Sequence, residues 1–342
     1  MKKSNNKTLF LTLILAAFII IIGVSVGKNV DSNSNVALVK TNSSSVDATS
    51  STEQDGLTAF KGKIVFLSKS SDENAIYMLT SKEGSKKIYT DKDEDLKIKS
   101  AFSVTNDGKI LALMGSADQE FGGSLYLIDT TSAGKKDKLI DVFASTDSPM
   151  ISPDGKKIAY TLFNNSEIDY GFTLYVMNRD GSGKQKIISD ASQIKILTWN
   201  DKSDKIAYLK GDTSNENSIF VSDLVGTKVK LVTSFKEKIY SASWANSNFI
   251  VSKGPIDSGS VNKAEVFEFD ESGKNLKRLT NDDKFSGFAF ISTDGKFLIY
   301  ANIEYSNSVD FTKTGEIGIL NLQTNDYKKI GEANYLIGWL NS

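Results

Sequence analysis

The stretch Ile151 to Tyr160, ISPDGKKIAY, decides the fold. An apolar residue stops at a Ser-Pro-Asp-Gly turn, and a β-rich run begins directly behind it. Asp-Gly tolerates the positive φ of a tight hairpin, so the stretch reads as strand, turn, strand. The same phrase recurs along the chain: GKIVF at Gly62, TNDGKILAL ending at Leu113, DKSDKIAYL ending at Leu209, NSNFIVS ending at Ser252 and STDGKFLIY ending at Tyr300. With Gly62, Gly108, Gly155, Asp204, Asn248 and Gly295 as markers, the steps are 46, 47, 49, 44 and 47 residues. The 283 residues from Phe60 onward give about 47 per unit for six units, which suits a four-stranded propeller blade.

Each unit has one internal order. A first strand ends at Val104, Ile151, Trp199, Trp244 or Ile291, and a tight turn follows. A second strand comes next, as in Ile158-Ala159-Tyr160 or Leu298-Ile299-Tyr300. After a longer loop a third strand appears, as in Leu125-Tyr126-Leu127 or Leu174-Tyr175-Val176, and a short outer strand closes the unit. No sustained 3.6-residue period appears beyond the N-terminal apolar segment, so the class is all-β. The first unit lacks its opening strand, and the chain finishes with Tyr335 to Leu340, YLIGWL, an opening strand with no unit behind it. Trp339 falls in the column of Trp199 and Trp244. The expected fold is therefore a six-bladed β-propeller closed by the C-terminal strand, which removes the edges that an open array would expose.

An apolar or Trp residue, then S-P-D-G, then K-K-I-A-Y, then an L-Y-V strand resembles the TolB-like family of six-bladed, WD-repeat-like propellers, a pattern also found in the propellers of prolyl oligopeptidases. The resemblance covers about Gly62 to Ser342 and implies fold rather than activity. Asn200 to Asp204 and Ala245 to Asn248 replace the S-P-D-G turn, and Gly318 replaces the aromatic of the third strand. A short polar linker stands where TolB carries its N-terminal α/β domain, so no counterpart of that domain is expected, nor of the hydrolase domain of the oligopeptidases.

Thr8 to Gly27, TLFLTLILAAFIIIIGVSVG, is an uncharged run of 20 residues. At about 1.5 Å per residue it matches the roughly 30 Å hydrocarbon core of a bilayer. Lys2, Lys3 and Lys7 precede it, and this basic flank is expected to stay inside. The reading is a cytoplasmic tail at 1–7, a transmembrane signal-anchor helix at 8–27, a flexible Ser/Thr/Asn-rich linker at 28–60 and an extracytoplasmic propeller at 61–342. A signal peptide cleaved near Ser25 and Gly27 is the competing reading.

Composition excludes several chemistries. The 342 residues include no cysteine and no histidine. Disulfides, thiolate nucleophiles, imidazole bases and His or Cys metal sites are thus ruled out. Net charge is −1, and Arg179 and Arg278 are the only arginines, which gives nucleic acid no electrostatic footing and leaves too few guanidinium groups for a sialidase-like arginine triad. The run Asp91-Lys92-Asp93-Glu94-Asp95 is rich in oxygen ligands, but Leu96 stands where a calcium loop carries glycine and Phe102 where it carries a bidentate acid, so the run reads as a solvated crossover. No cofactor is expected.

In a four-stranded blade, the second-to-third loops and the blade-to-blade crossovers share one face, here termed the crossover face. The first-to-second and third-to-fourth turns share the other, the turn face. The longer connections belong to the crossover face: Ser70–Asn74, Gly115–Gly122, Thr161–Gly171, Gly211–Asn217, Lys253–Lys263 and Ile303–Thr314. The tether enters at the start of a second strand, on the turn face, so the crossover face is expected to point away from the membrane. Its candidate ligand-binding residues are Glu120, Phe121, Glu167, Asp169, Tyr170, Glu304, Tyr305, Asp310 and Phe311, with Asp257 nearby. Aromatics beside acids suit stacking on a sugar ring or holding a peptide side chain; packing over the blade rims is the plainer role. The sequence favours a non-enzymatic binding or scaffold module for an envelope protein, peptide or cell-wall polymer. The competing class is an envelope polysaccharide-active enzyme using a pair of those loop carboxylates.

Overall fold

The structure is a computed structural model. It describes residues 60–342 except 71, 93, 117–122, 133–134, 144–148, 166–169, 212–216, 256–262, 282–283, 293, 304–314 and 341–342. The expected tail at 1–7, the anchor at 8–27 and the linker up to residue 59 lie outside the described residues.

Among the described residues there are 24 strands in six four-stranded antiparallel sheets. In the first blade, β1 (Lys63–Lys69), β2 (Asn74–Thr80) and β3 (Gly84–Thr90) follow one another. The second holds β4 (Leu96–Val104), β5 (Lys109–Ser116), β6 (Gly123–Asp129) and β7 (Lys136–Phe143); the third holds β8 (Met150–Ile151), β9 (Lys157–Asn165), β10 (Tyr170–Asn178) and β11 (Gln185–Asp190). The fourth is β12 (Ile194–Trp199), β13 (Lys205–Gly211), β14 (Asn217–Asp223) and β15 (Val229–Phe235); the fifth is β16 (Lys238–Ala245), β17 (Asn248–Gly254), β18 (Glu265–Asp270) and β19 (Lys277–Arg278). The sixth is β20 (Phe285–Ile291), β21 (Phe297–Ile303), β22 (Gly315–Asn321) and β23 (Tyr327–Ala333). The last strand, β24 (Tyr335–Leu340), returns to the first blade, whose order is β24-β1-β2-β3.

The predicted closure is therefore present. Ile64 pairs with Trp339 and Leu67 with Tyr335 in the β1–β24 ladder. Trp339 donates its indole N–H to the Lys61 carbonyl at 2.9 Å, and Phe60 meets the indole edge-on at 5.8 Å. Each inner strand also touches the inner strands of both neighbouring blades, in the ring β24, β4, β8, β12, β16, β20 and back.

Six apolar layers hold the blades together, one at each junction. Val65 and Leu67 pack with Ile98, Ile110 and Ala112 of the second blade, whereas Ile64 and Phe66 pack with Ile299 and Ile317 of the sixth. This split follows from the two-residue alternation of side chains along a strand. A second strand thus faces apolar neighbours on both sides. That is why Ile158-Ala159-Tyr160 and Phe249-Ile250-Val251 read as unbroken apolar runs, and all six residues are buried. Outer strands face water, and Val229 and Leu231 of β15 are exposed.

The turns explain the repeated phrase. The Ser152 hydroxyl donates to the Asp154 carboxylate at 2.7 Å and accepts the Lys157 N–H at 3.0 Å, while Gly155 takes φ 71°. Ser292 and Asp294 repeat the arrangement at 2.6 Å, and Thr105 with Asp107 at 2.5 Å. Where the phrase is lost, other residues take the left-handed backbone: Ser203 in the fourth blade, Asn246 and Ser247 in the fifth. Gly318 lacks a side chain because the Tyr327 ring of β23 fills its place; a Cβ there would lie 2.2 Å from that ring. One loop expectation is corrected. Thr161–Gly171 is mostly strand, since β9 runs to Asn165 and pairs with Tyr170 at the head of β10.

Candidate functional site at the axial mouth

Of the nine candidate residues, eight lie outside the described residues: Glu120, Phe121, Glu167, Asp169, Glu304, Tyr305, Asp310 and Phe311. Asp257 does as well. Tyr170 is described; it is 47% exposed and rests edge-on against Phe163 at 5.4 Å. It sits in a strand of the third blade, not in a loop.

The acidic run 91–95 is a structural clamp at Asp91. Its buried carboxylate accepts the Asn74 N–H at 2.8 Å, the Asn74 side-chain amide at 2.9 Å and the Ile98 N–H at 2.8 Å. These bonds tie the crossover from β3 to β4 against the first blade. Glu94 pairs with Lys136 at 2.6 Å. Among the described residues no group of three or more acids is placed to hold a metal ion.

The described part of the crossover face brings together a different set, around the mouth of the inner-strand ring. Lys69 ends β1 and donates to the Lys99 carbonyl of β4 at 3.0 Å. Its backbone N–H is fixed by the Asn334 side chain at 2.6 Å. Lys99 is the extra residue of a bulge, since Ile98 pairs with Met114 and Ser100 with Leu113. A bulge re-aims the side chain it carries. Burial, with Lys99 adding to it, pushes the Lys69 ammonium below its usual range, while Asp91 pulls it back. Lys195 of β12 and Lys238 of β16 form a second such pair. Burial lowers the Lys238 ammonium, and the nearby charge of Lys195 lowers it further. Among the described residues no carboxylate forms an ion pair with Lys99, Lys195 or Lys238.

Aromatic rings connect the two pairs. The Lys238 ammonium lies 5.2 Å from the centre of the Tyr240 ring, and Tyr240 meets Phe285 edge-on at 4.7 Å. In the adjoining sector Phe288 meets Tyr335 at 5.5 Å, and Lys69 lies 5.6 Å from the Tyr335 ring. Phe288 has φ 51°, a backbone region that bulky residues seldom occupy. The Ser241 hydroxyl accepts its N–H at 2.9 Å and holds that conformation. Tyr240, Phe288 and Tyr335 are half-buried, whereas Phe285 is buried behind them. The sequence hides this set because its members are scattered from 69 to 335, and although Lys195, Tyr240 and Tyr335 each stand four residues before the bulky column, they differ in type. Only the bulges, invisible in residue types, bring Lys99, Tyr240 and Phe288 to one level.

A second cluster lies at the outer part of the fifth blade. Lys253 pairs with Glu237 at 2.6 Å and lies 4.2 Å from the Phe267 ring centre; Arg278 pairs with Glu265 at 2.6 Å. They border an open cleft of about 260 Å³. Their charges satisfy one another, so the cleft offers a ligand less than the mouth does.

No family model matches the chain, and no curated protein does. Solved structures do. The TolB of Agrobacterium tumefaciens is 12% identical, with a TM-score of 0.58 over 83% of this chain and 92% of that one. The TolB of Acinetobacter baumannii is 17% identical, also at 0.58, over 80% of this chain and 65% of that one. An oligogalacturonate lyase solved with manganese is 10% identical at 0.51, over 79% of this chain and 74% of that one. At such identities the likeness is one of fold. The blade count and the closing strand make the described chain a six-bladed β-propeller, and its fold is similar to that of these TolB structures.

Proposed function

We propose that this chain is a non-enzymatic binding or scaffold module of the cell envelope. Residues 8–27 anchor it in the cell membrane, residues 1–7 remain cytoplasmic, and the propeller stands on the extracytoplasmic side. Its crossover face meets an envelope protein, peptide or cell-wall polymer. The supporting observation is the axial mouth: lysines that form no ion pair with a carboxylate among the described residues, and half-buried aromatics, come together there from blades one, two, four, five and six. Rigid blades fix that arrangement before any partner arrives, which keeps the ordering cost of binding low. The chain enters β1 through Lys61, on the turn face.

Because the chain has no cysteine, single cysteines report topology directly. In intact cells a membrane-impermeant maleimide labels Lys202→Cys and leaves Ser4→Cys unlabelled until the membrane is opened. Labelling of Ser4→Cys from outside refutes the topology. A photo-reactive residue at Gln193, on the crossover face, traps an envelope component; the same residue at Lys202, on the turn face, does not. Trapping only from Lys202 refutes the choice of face.

A further inference from the structure

The charge at the axial mouth specifies its ligand more closely; this step rests on the binding reading above. The Lys69–Lys99 pair lies at the junction of blades one and two, and the Lys195–Lys238 pair at that of blades four and five. Three blades separate these junctions in a ring of six, so the pairs stand on opposite sides of the axis. Tyr335, Phe288 and Tyr240 fill the arc between them through the sixth blade. Sheets packed face to face are about 10 Å apart, which makes such a ring roughly 20 Å across. A ligand that engages both pairs must therefore span the mouth.

Like charges held side by side raise each other's cost, and burial adds to it at Lys69. Among the described residues, Asp91 already accepts three N–H groups, and Asp190 is paired with Lys210 at 2.5 Å. An anion bound at each pair would relieve that repulsion. Lysine supplies a compact point charge without the planar fork of arginine, so it demands charge more than carboxylate or phosphate geometry. Three half-buried rings stand between the pairs, apolar surface of the kind that sugar rings pack against.

We propose that the axial mouth binds an anionic glycan polymer, laid along the aromatic arc, with acidic groups some distance apart on the polymer seated at the two lysine pairs. The acidic groups are carboxylates or phosphodiesters, and the test separates these sources.

The full chain in detergent micelles is titrated calorimetrically with polygalacturonate, with a glycosylated polyglycerol phosphate, with neutral dextran and with polyglutamate. At least one anionic glycan binds, dextran does not, and the stronger of the two anionic glycans identifies the acid. Added salt weakens binding, since the pairs remain accessible to water. Lys195→Glu with Lys238→Glu lowers affinity at least tenfold, as expected for losing two charge-assisted contacts. Lys195→Gln with Lys238→Gln gives a smaller loss in the same direction, which keeps the test valid if the charge reversal disturbs folding. Tyr335→Ala weakens the glycans. Lys202→Glu, on the turn face, leaves affinity unchanged.

Binding of polyglutamate with neither glycan overturns the proposal in favour of an acidic peptide. Equal binding of dextran, or equal loss in Lys202→Glu, overturns it as well, as does no binding by a folded chain. Failure of the broader reading appears elsewhere: envelope components then crosslink away from Gln193. A neutral partner trapped at Gln193 and indifferent to Lys195 and Lys238 refutes only the anionic specificity.

Discussion

Gly338 offers the sharpest test of how the ring closes. It lies buried in β24, opposite Val65, and has an ordinary backbone conformation, so its role is one of space rather than φ. A Cβ at this position would lie 2.5 Å from Cγ1 of Val104 in β4, whereas ordinary contact begins at 3.4 Å. Gly338→Ala therefore requires a displacement of nearly 1 Å between the inner strands of blades one and two. Val104 cannot easily turn aside, because a β-branched side chain is stiff at χ1 and its backbone is paired with Ile110. Overpacking of this kind costs about 1–3 kcal/mol, and about 2 kcal/mol lowers the midpoint of thermal unfolding by roughly 4 °C in a domain of this size. Val104→Ala alone removes two methyl groups from a half-buried site and costs about 1 kcal/mol. In the double variant the new methyl enters the space that the valine vacates. Its stability should match that of Val104→Ala alone, a coupling of about 2 kcal/mol, within the range seen for residues in contact. Urea unfolding followed by tryptophan fluorescence measures all four corners of the cycle. Additive losses would falsify the claim that steric room at Gly338 sets the approach of these strands.

Asp91→Ala leaves the N–H groups of Asn74 and Ile98 without their acceptor, and a loss of about 3 kcal/mol is expected in the same assay. Tyr208 carries a buried hydroxyl with no hydrogen-bond partner among the described residues, and burial pushes its pKa up to about 12; Tyr208→Phe should be neutral or stabilising by up to about 1 kcal/mol, and a clear loss of stability would show that the hydroxyl is satisfied in solution. Hydrogen bonds from Ser272, Lys274 and Asn275 hold the Asp270 carboxyl down at about 2. Its contribution is complete above the unfolded value near pH 4 and fades as pH falls toward 2, so Asp270→Asn should flatten the acid limb of a plot of urea midpoint against pH, and an unchanged limb would refute the assignment.

The architecture was legible because propeller blades write their turns into residue types. Gly108, Gly155 and Gly295 all take positive φ at the predicted turns, and the bulky column ending at Trp199 and Trp339 marks the inner strands. The hydroxyl two positions before the Asp was less visible, though Thr105, Ser152 and Ser292 all stand there and bind that Asp. The turns without Asp-Gly needed the structure, since Ser203, Asn246 and Ser247 adopt left-handed backbone without advertising it. The strand extension through Asn165 was missed because Asn164, Asn165 and Ser166 read as loop residues, although Asn164 pairs within the β9–β10 ladder. The axial mouth was the hardest to foresee. Lysines at the ends of strands look like ordinary solubilising charge, and only the ring sets Lys195 beside Lys238 and opposite Lys69.

The join between β1 and β24 also governs when the molecule can be finished. Residue 63 leaves the ribosome early and waits for a partner that is synthesised nearly 280 residues later. Until Leu340 arrives, the first sheet has three strands, and its inner margin stays open to any stray extended peptide. A message truncated by even one final strand therefore yields no slightly shortened version of this protein but an unsealed one, with the hallmarks that quality-control proteases recognise.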